Sequence, residues 1–162
     1  MTSKRIQDIV WEELYAAEVR ARYFAKLAGR LKSRERWMAL ALAVLSLGTV
    51  GTIVAKQPDA ALLLSLTTLV LSAVLATFKF DKGKALGATL GRQWTEIAAE
   101  YEILWAQLAE LEEEEVLTRH RDLLTKHFPS DELAIAEFPQ NDRLLSECWK
   151  AVAASRGLEV TA

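Results

Sequence analysis

The sequence predicts an all-α membrane protein: a two-span transmembrane helical hairpin with long cytoplasmic helices before and after it. Three observations carry this. Hydrophobic residues make up 51% of the chain and charged residues 26%, yet the mean hydropathy is only +0.09. Those values coexist when apolar and charged residues are segregated along the chain, and they are: from Trp37 to Phe78 the only ionisable side chains are Lys56 and Asp59. The third observation is that Gly and Pro are scarce and nearly absent from the periodic segments, which favours long helices over a sheet.

The first element is a cytoplasmic amphipathic helix over residues 3–36. Ser3 is placed to cap its start. Val10, Leu14, Ala17, Ala21, Phe24, Ala28 and Leu31 step by alternating fours and threes, a heptad seam. No proline separates this helix from the first apolar run, so helix and span can be continuous.

The hairpin comes next, over residues 37–80, with spans at 37–55 and 60–78. Each span is an uncharged run of 19 residues. At 1.5 Å per residue such a run reaches about 28 Å, close to the ~30 Å hydrocarbon thickness of a bilayer. Only Lys56-Gln57-Pro58-Asp59 connects them. Pro58 suits the first turn of a helix, and Asp59 suits the positive end of its dipole. The competing reading is a soluble bundle with the hairpin at its centre, but the remaining helices are short for covering two such runs. A cleaved signal peptide fits less well, because 36 residues precede the first run and a second run follows at once. Arg30, Lys32, Arg34 and Arg36 precede the first span, and Lys79, Lys82 and Lys84 follow the second. The positive-inside rule then puts both termini in the cytoplasm.

A long cytoplasmic helix is expected over 82–127. Leu90, Trp94, Ile97, Tyr101, Leu104, Leu108 and Leu111 repeat the heptad alternation, while the segment from Lys82 to Gly87, with Gly91, would loosen the junction with the hairpin. The seam fades at Glu112 to Glu115, which reads as a solvated helical face. Residues 128–162 read as an irregular segment with two prolines, then a short helix. Asn141 or Asp142 would cap that helix and Gly157 would end it.

The search for chemistry excludes more than it finds. A net charge of −2 makes no case for nucleic acid. One cysteine, Cys148, forms neither an internal disulfide nor a CxxC metal site, and it sits among apolar residues as a packing residue. There is no HExxH, no phosphate-binding glycine loop and no carboxylate cluster at ligand spacing. His120 and His127 read as surface residues. No enzyme and no cofactor is expected. Arg20, Arg22, Lys26, Arg30, Lys32, Arg34 and Arg36 read as topology determinants facing anionic headgroups. A soluble anionic ligand is the lesser alternative.

The spans carry hydroxyls in a pattern. Ser65, Thr68, Ser72 and Ala76, with Ala61, lie on one face of the second span, and Lys79 extends that face. Ser46, Thr49 and Thr52 are three apart in the first span, beside Gly48 and Gly51. Small and hydroxyl residues concentrate where transmembrane helices touch. These faces are therefore candidates either for helix packing or for lining a pore built from several copies. Hydroxyls can also satisfy themselves on their own backbone.

The layout resembles a family. A cytoplasmic helix, ARYFAKLAGRLKSRERW, runs into two spans with a minimal turn, and KGKALGATLGRQWTEIAAEYEILWAQL comes after them. This resembles the SLATT proteins, two-transmembrane effector domains of bacterial conflict systems, over roughly residues 15 to 115. The resemblance implies a bacterial inner-membrane effector of the anti-phage, abortive-infection type. Such an effector would oligomerise with itself in the lipid bilayer and permeabilise it when a nucleotide-signalling or sensor protein triggers it. The alternative from another class is a non-conducting, membrane-anchored coiled-coil adaptor or scaffold.

Overall fold

A computed structural model of the chain describes residues 3–77 and 80–158. Among these the chain is all-helical: α1 (Lys4–Val54), α2 (Pro58–Thr77), α3 (Phe80–Gln107), α4 (Glu113–Glu137) and α5 (Asp142–Ser155). Phe78, expected to end the second span, and Lys79, expected to follow it, lie outside the described residues. The chain divides into two compact units, Met1–Leu27 with Leu86–Ala162, and Ala28–Ala85.

The first unit has a core of its own. Val10, Leu14, Ala17 and Phe24 of α1 are buried with Leu90, Trp94, Ile97, Tyr101 and Leu104 of α3 and with Leu108, which lies just beyond it. The two helices run antiparallel: Trp11 packs on Trp105 with ring centroids 5.1 Å apart, while Ala25 meets Gly91 at the other end. A Cβ at Gly91 would stand 3.3 Å from the Ala25 backbone nitrogen. Gly91 does not loosen a junction; it lies inside α3 and lets two backbones approach. Ala21 and Leu111 are half-buried at the margin of this core, and Leu31, expected on the same seam, is half-exposed within the second unit.

Two further expectations about the helices are corrected by the structure. The single helix expected over 82–127 is two helices, because the chain turns between Leu108 and Glu112. Leu108 and Val116 are both buried across that turn. Burial of α4 against the core outweighs the strong helix propensity of the intervening Leu and Glu residues. The acidic run is therefore the first turn of α4, where Glu113, Glu114 and Glu115 match the positive end of the dipole. Glu113 accepts a hydrogen bond from the Ser3 backbone at 3.2 Å, and Glu115 pairs with Arg119 at 2.7 Å. The second correction concerns Pro129, expected in irregular chain, which lies inside α4. An interior proline costs about 3 kcal/mol. His127 and Ser130 are buried on either side of it, and Ser130 donates to Gln93 of α3, so packing holds the helix through the proline.

α5 docks on α1. Asn141 caps it by accepting from the Leu144 backbone at 2.9 Å, and Gly157 lies past its end at φ 70°. Tyr15 donates to the Trp149 carbonyl at 3.0 Å, and Arg156 bridges Glu18 at 2.6 Å and Glu102 at 3.3 Å. Leu144, Cys148 and Val152 complete the core from this helix.

Among the described residues the second unit has no such core: α2 has no buried residue. The turn between α1 and α2 closes by backbone geometry. Lys56 adopts φ 57°, the Lys56 N–H reaches the Ile53 carbonyl at 3.1 Å, and the Gln57 N–H reaches the Thr52 carbonyl at 3.0 Å. This is the left-handed helix ending that glycine usually supplies. Lys84 pairs with Glu35 and, at 2.7 Å, with Asp81.

Candidate functional site

Two helices, Lys4–Val54 and Pro58–Thr77, contain a stretch long and apolar enough to cross a membrane, and none of either apolar window is buried. The apolar side chains point outward: Trp37 is 70% exposed, Leu47 73%, Leu62 68% and Leu69 67%. The exposure comes from composition. A stretch that is hydrophobic all round has no polar face to turn to water.

On these helices the structure divides the candidate stripe. Thr68 and Ser72 are half-buried, while Ser65 and Ala76 are exposed. In the preceding helix Thr49 and Thr52 are half-buried and Ser46 is exposed. Gly48 lies across from Leu64, whose Cδ1 would be 3.5 Å from a Cβ at that position. Every hydroxyl of the stripe donates to a carbonyl of its own helix. Ser46 donates to Leu42 at 2.8 Å, Thr49 to Leu45 at 2.9 Å and Thr52 to Thr49 at 2.9 Å. Ser65 donates to Ala61 at 2.6 Å, Thr68 to Leu64 at 2.7 Å and Ser72 to Thr68 at 2.8 Å. Thr67 and Thr77, outside the stripe, do the same. None of these donors requires a neighbouring helix or water.

The helical unit holds a polar cluster that the sequence reading misplaced. His127, expected on the surface, is 3% exposed. It sits edge-on to Trp94 with ring centroids 4.9 Å apart and to Tyr101 at 5.4 Å. The Tyr101 hydroxyl meets His120 Nδ1 at 3.3 Å, and the Arg20 guanidinium lies over the Trp94 ring at 4.6 Å. Burial, then the charge of Arg20 and the neighbouring His120, lowers the His127 pKa to about 4, against a smaller opposing effect of Glu100. Burial likewise lowers the pKa of His120 and raises that of the Tyr101 phenol. His127 is neutral at neutral pH, and its Nε2 and Trp94 Nε1 are buried without a hydrogen-bond partner. The missed signal was the spacing of Val116, His120, Leu123, His127, Ser130 and Ala134, which continues the four-three alternation through polar residues.

Two basic residues expected at lipid headgroups are used inside this unit. Arg20 covers Trp94, and Arg22 donates to the Ala151 carbonyl at 3.0 Å and to Ser155 at 2.9 Å near the end of α5. Lys26, Arg30, Lys32, Arg34 and Arg36 are exposed. An open groove of about 510 Å³ runs beside Arg20, Tyr23, Phe24, Asp131 and Phe138. Among the described residues no cluster of His, Cys, Asp or Glu could hold a metal ion.

No family model, no curated protein and no solved structure matches the chain.

Proposed function

We propose that this chain is a membrane effector. Its apolar helices form a two-span hairpin in the bacterial inner membrane, with both termini cytoplasmic. Copies associate, and the assembly permeabilises the membrane when a partner triggers it. The observation that carries the membrane reading is the outward-facing apolar surface of two consecutive helices in a chain whose other unit has a core of its own. Covering that surface needs an apolar phase, and a bilayer supplies one. The four basic residues from Arg30 to Arg36, against Lys56 alone in the turn, support the orientation. Permeabilisation rests on the resemblance to SLATT proteins.

A second reading, a non-conducting membrane adaptor, is favoured by one observation. The stripe hydroxyls are satisfied within their own helices, as expected for packing faces that never meet water. Two measurements test the proposal, and the second separates the readings. In spheroplasts a tag at Gln57 should be accessible from outside and both tails protected from protease; accessible tails would sink the orientation. With purified full-length chain in anionic vesicles, dye release should rise with the protein-to-lipid ratio, and Ser72→Leu should reduce it without reducing insertion. A high protein-to-lipid ratio stands in for the trigger by driving assembly, so release no greater than from protein-free vesicles at every ratio leaves the adaptor.

A further inference from the structure

His127 and Ser130, the buried polar side chains of α4, stand on either side of Pro129. Pro129 has no N–H to offer the Thr125 carbonyl, so the hydrogen-bond ladder of the helix is interrupted there. Contacts with α1 and α3 hold α4 across the gap. His127 lies edge-on to Trp94 and Tyr101, and Ser130 donates to Gln93 at 3.2 Å. We propose that α4 is an acid-released clamp: when His127 takes up a proton, the stretch around Pro129 parts from α1 and α3, while α1 and α3 stay paired with each other. The inference is independent of the membrane reading, because every group in it lies in the unit of Met1–Leu27 and Leu86–Ala162.

His127 keeps its place while it is neutral. Its cation carries hydrogen on both ring nitrogens. Nε2 is buried without a hydrogen-bond partner, so the cation would hold a charged donor unmet in the core. The surrounding charges give no relief. From α1, Arg20 lies over Trp94, the ring that His127 abuts, and Glu13 is near enough to act on Tyr101 and His120. From α3, Glu100 acts on His127, but both its carboxylate oxygens hold Lys126, at 2.9 and 2.6 Å. Within α4, His120 adds to the repulsion and Asp131 is turned to Arg20 at 3.8 Å. The contact of α1 with α3 is of another kind. It rests on Val10, Leu14, Leu90 and Ile97 and on the backbone approach at Gly91, none of which takes up a proton. Release of α4 would uncover Trp94 and Tyr101, so the clamp makes exposure of an aromatic face of α3 conditional on pH.

The test is backbone hydrogen exchange of the full chain in zwitterionic lipid at pH 7.5 and pH 5, with rates corrected for the intrinsic effect of pH. At pH 5 carboxylates of ordinary pKa, near 4, are still mostly ionised. His127 titrates at about 4 in the closed state and at ~6.5 once released, so falling pH favours release. The opening constant of residues 123–134 should rise roughly 25-fold over that interval, while residues 10–24 and 94–104 keep their protection. His127→Gln should bring the rise below about fivefold, the remainder belonging to His120, which burial also keeps neutral. Equal protection of residues 123–134 at both pH values would overturn the proposal. So would a loss of protection shared equally by α1 and α3, which is global unfolding, and so would the full rise persisting in His127→Gln. The contrast between the two groups of amides in the unaltered chain decides the matter even where the variant does not close.

Discussion

In the helical unit Leu14, Leu90 and Leu144 are at most 1% exposed, whereas Leu47, Leu62 and Leu69 in the unit of residues 28–85 are 67–73% exposed. The residue type is the same, and the surroundings differ because the patterns differ. Around Leu14 and Leu90, apolar residues recur on one face of each helix, so the helices hide them from water against one another. Around Leu47 and Leu62 they recur on every face, so two helices in contact leave most of them uncovered. The regions differ both in hydrophobic content and in how it is distributed around the helix.

The largest effect that would break this contrast comes from the core. Trp94 is fully buried, and Trp94→Ala should cost about 3–5 kcal/mol. In detergent-solubilised chain it should abolish or sharply lower the cooperative thermal transition seen by near-ultraviolet circular dichroism. Leu69→Ala should leave that transition in place. Equal effects would mean that the two regions do not differ as described.

The next effect is pH-dependent. His127 titrates at about 4 in the folded chain, below the ~6.5 of an unfolded histidine. Between those values the unfolded chain binds the extra proton. The contribution of neutral burial is therefore present above about pH 6.5 and is lost as pH falls toward 4, amounting to roughly 2–3 kcal/mol. His127→Leu should flatten the dependence of urea-unfolding stability on pH between 7 and 4.5 by that amount. A slope unchanged in the variant would assign the acid sensitivity to other groups.

A third, smaller effect sharpens the contrast at a single contact. Gly91 faces the Ala25 backbone, while Gly51 faces nothing within 4 Å. Gly91→Leu forces the α1 and α3 backbones apart and should cost about 1–3 kcal/mol, whereas Gly51→Leu should leave the transition of the helical unit unchanged. The comparison fails if both substitutions are tolerated alike in thermal melts.

Much of the helical unit was legible because α1 and α3 mark their buried faces with apolar residues at heptad spacing. α4 was not, for two physical reasons. Its buried face uses His127 and Ser130, whose side chains count as polar in any hydropathy pattern although packing encloses both. Its start falls within Leu108 to Glu115, where no glycine or proline marks the reversal and tertiary burial of Val116 decides it. Pro129 misled in the opposite direction, since local chemistry argued for a break that the core overrides. The apolar runs were plain from the missing charges. The hydroxyl stripe was legible as a pattern, but the partner of each hydroxyl was not, because serine and threonine serve their own carbonyl or a neighbour's with equal chemistry.

Those back-bonded hydroxyls bear on biogenesis. A polar group that must find its partner on another helix ties insertion to assembly, because each helix would enter lipid carrying an unmet donor. Here Ser46, Thr49, Thr52, Ser65, Thr68 and Ser72 bring their acceptors with them. On the proposed membrane reading, each apolar helix can therefore leave the translocon singly and rest in the bilayer as an independent segment. On that reading a newly made copy can wait there as a monomer, and the proposed association of copies is timed after synthesis, by local concentration.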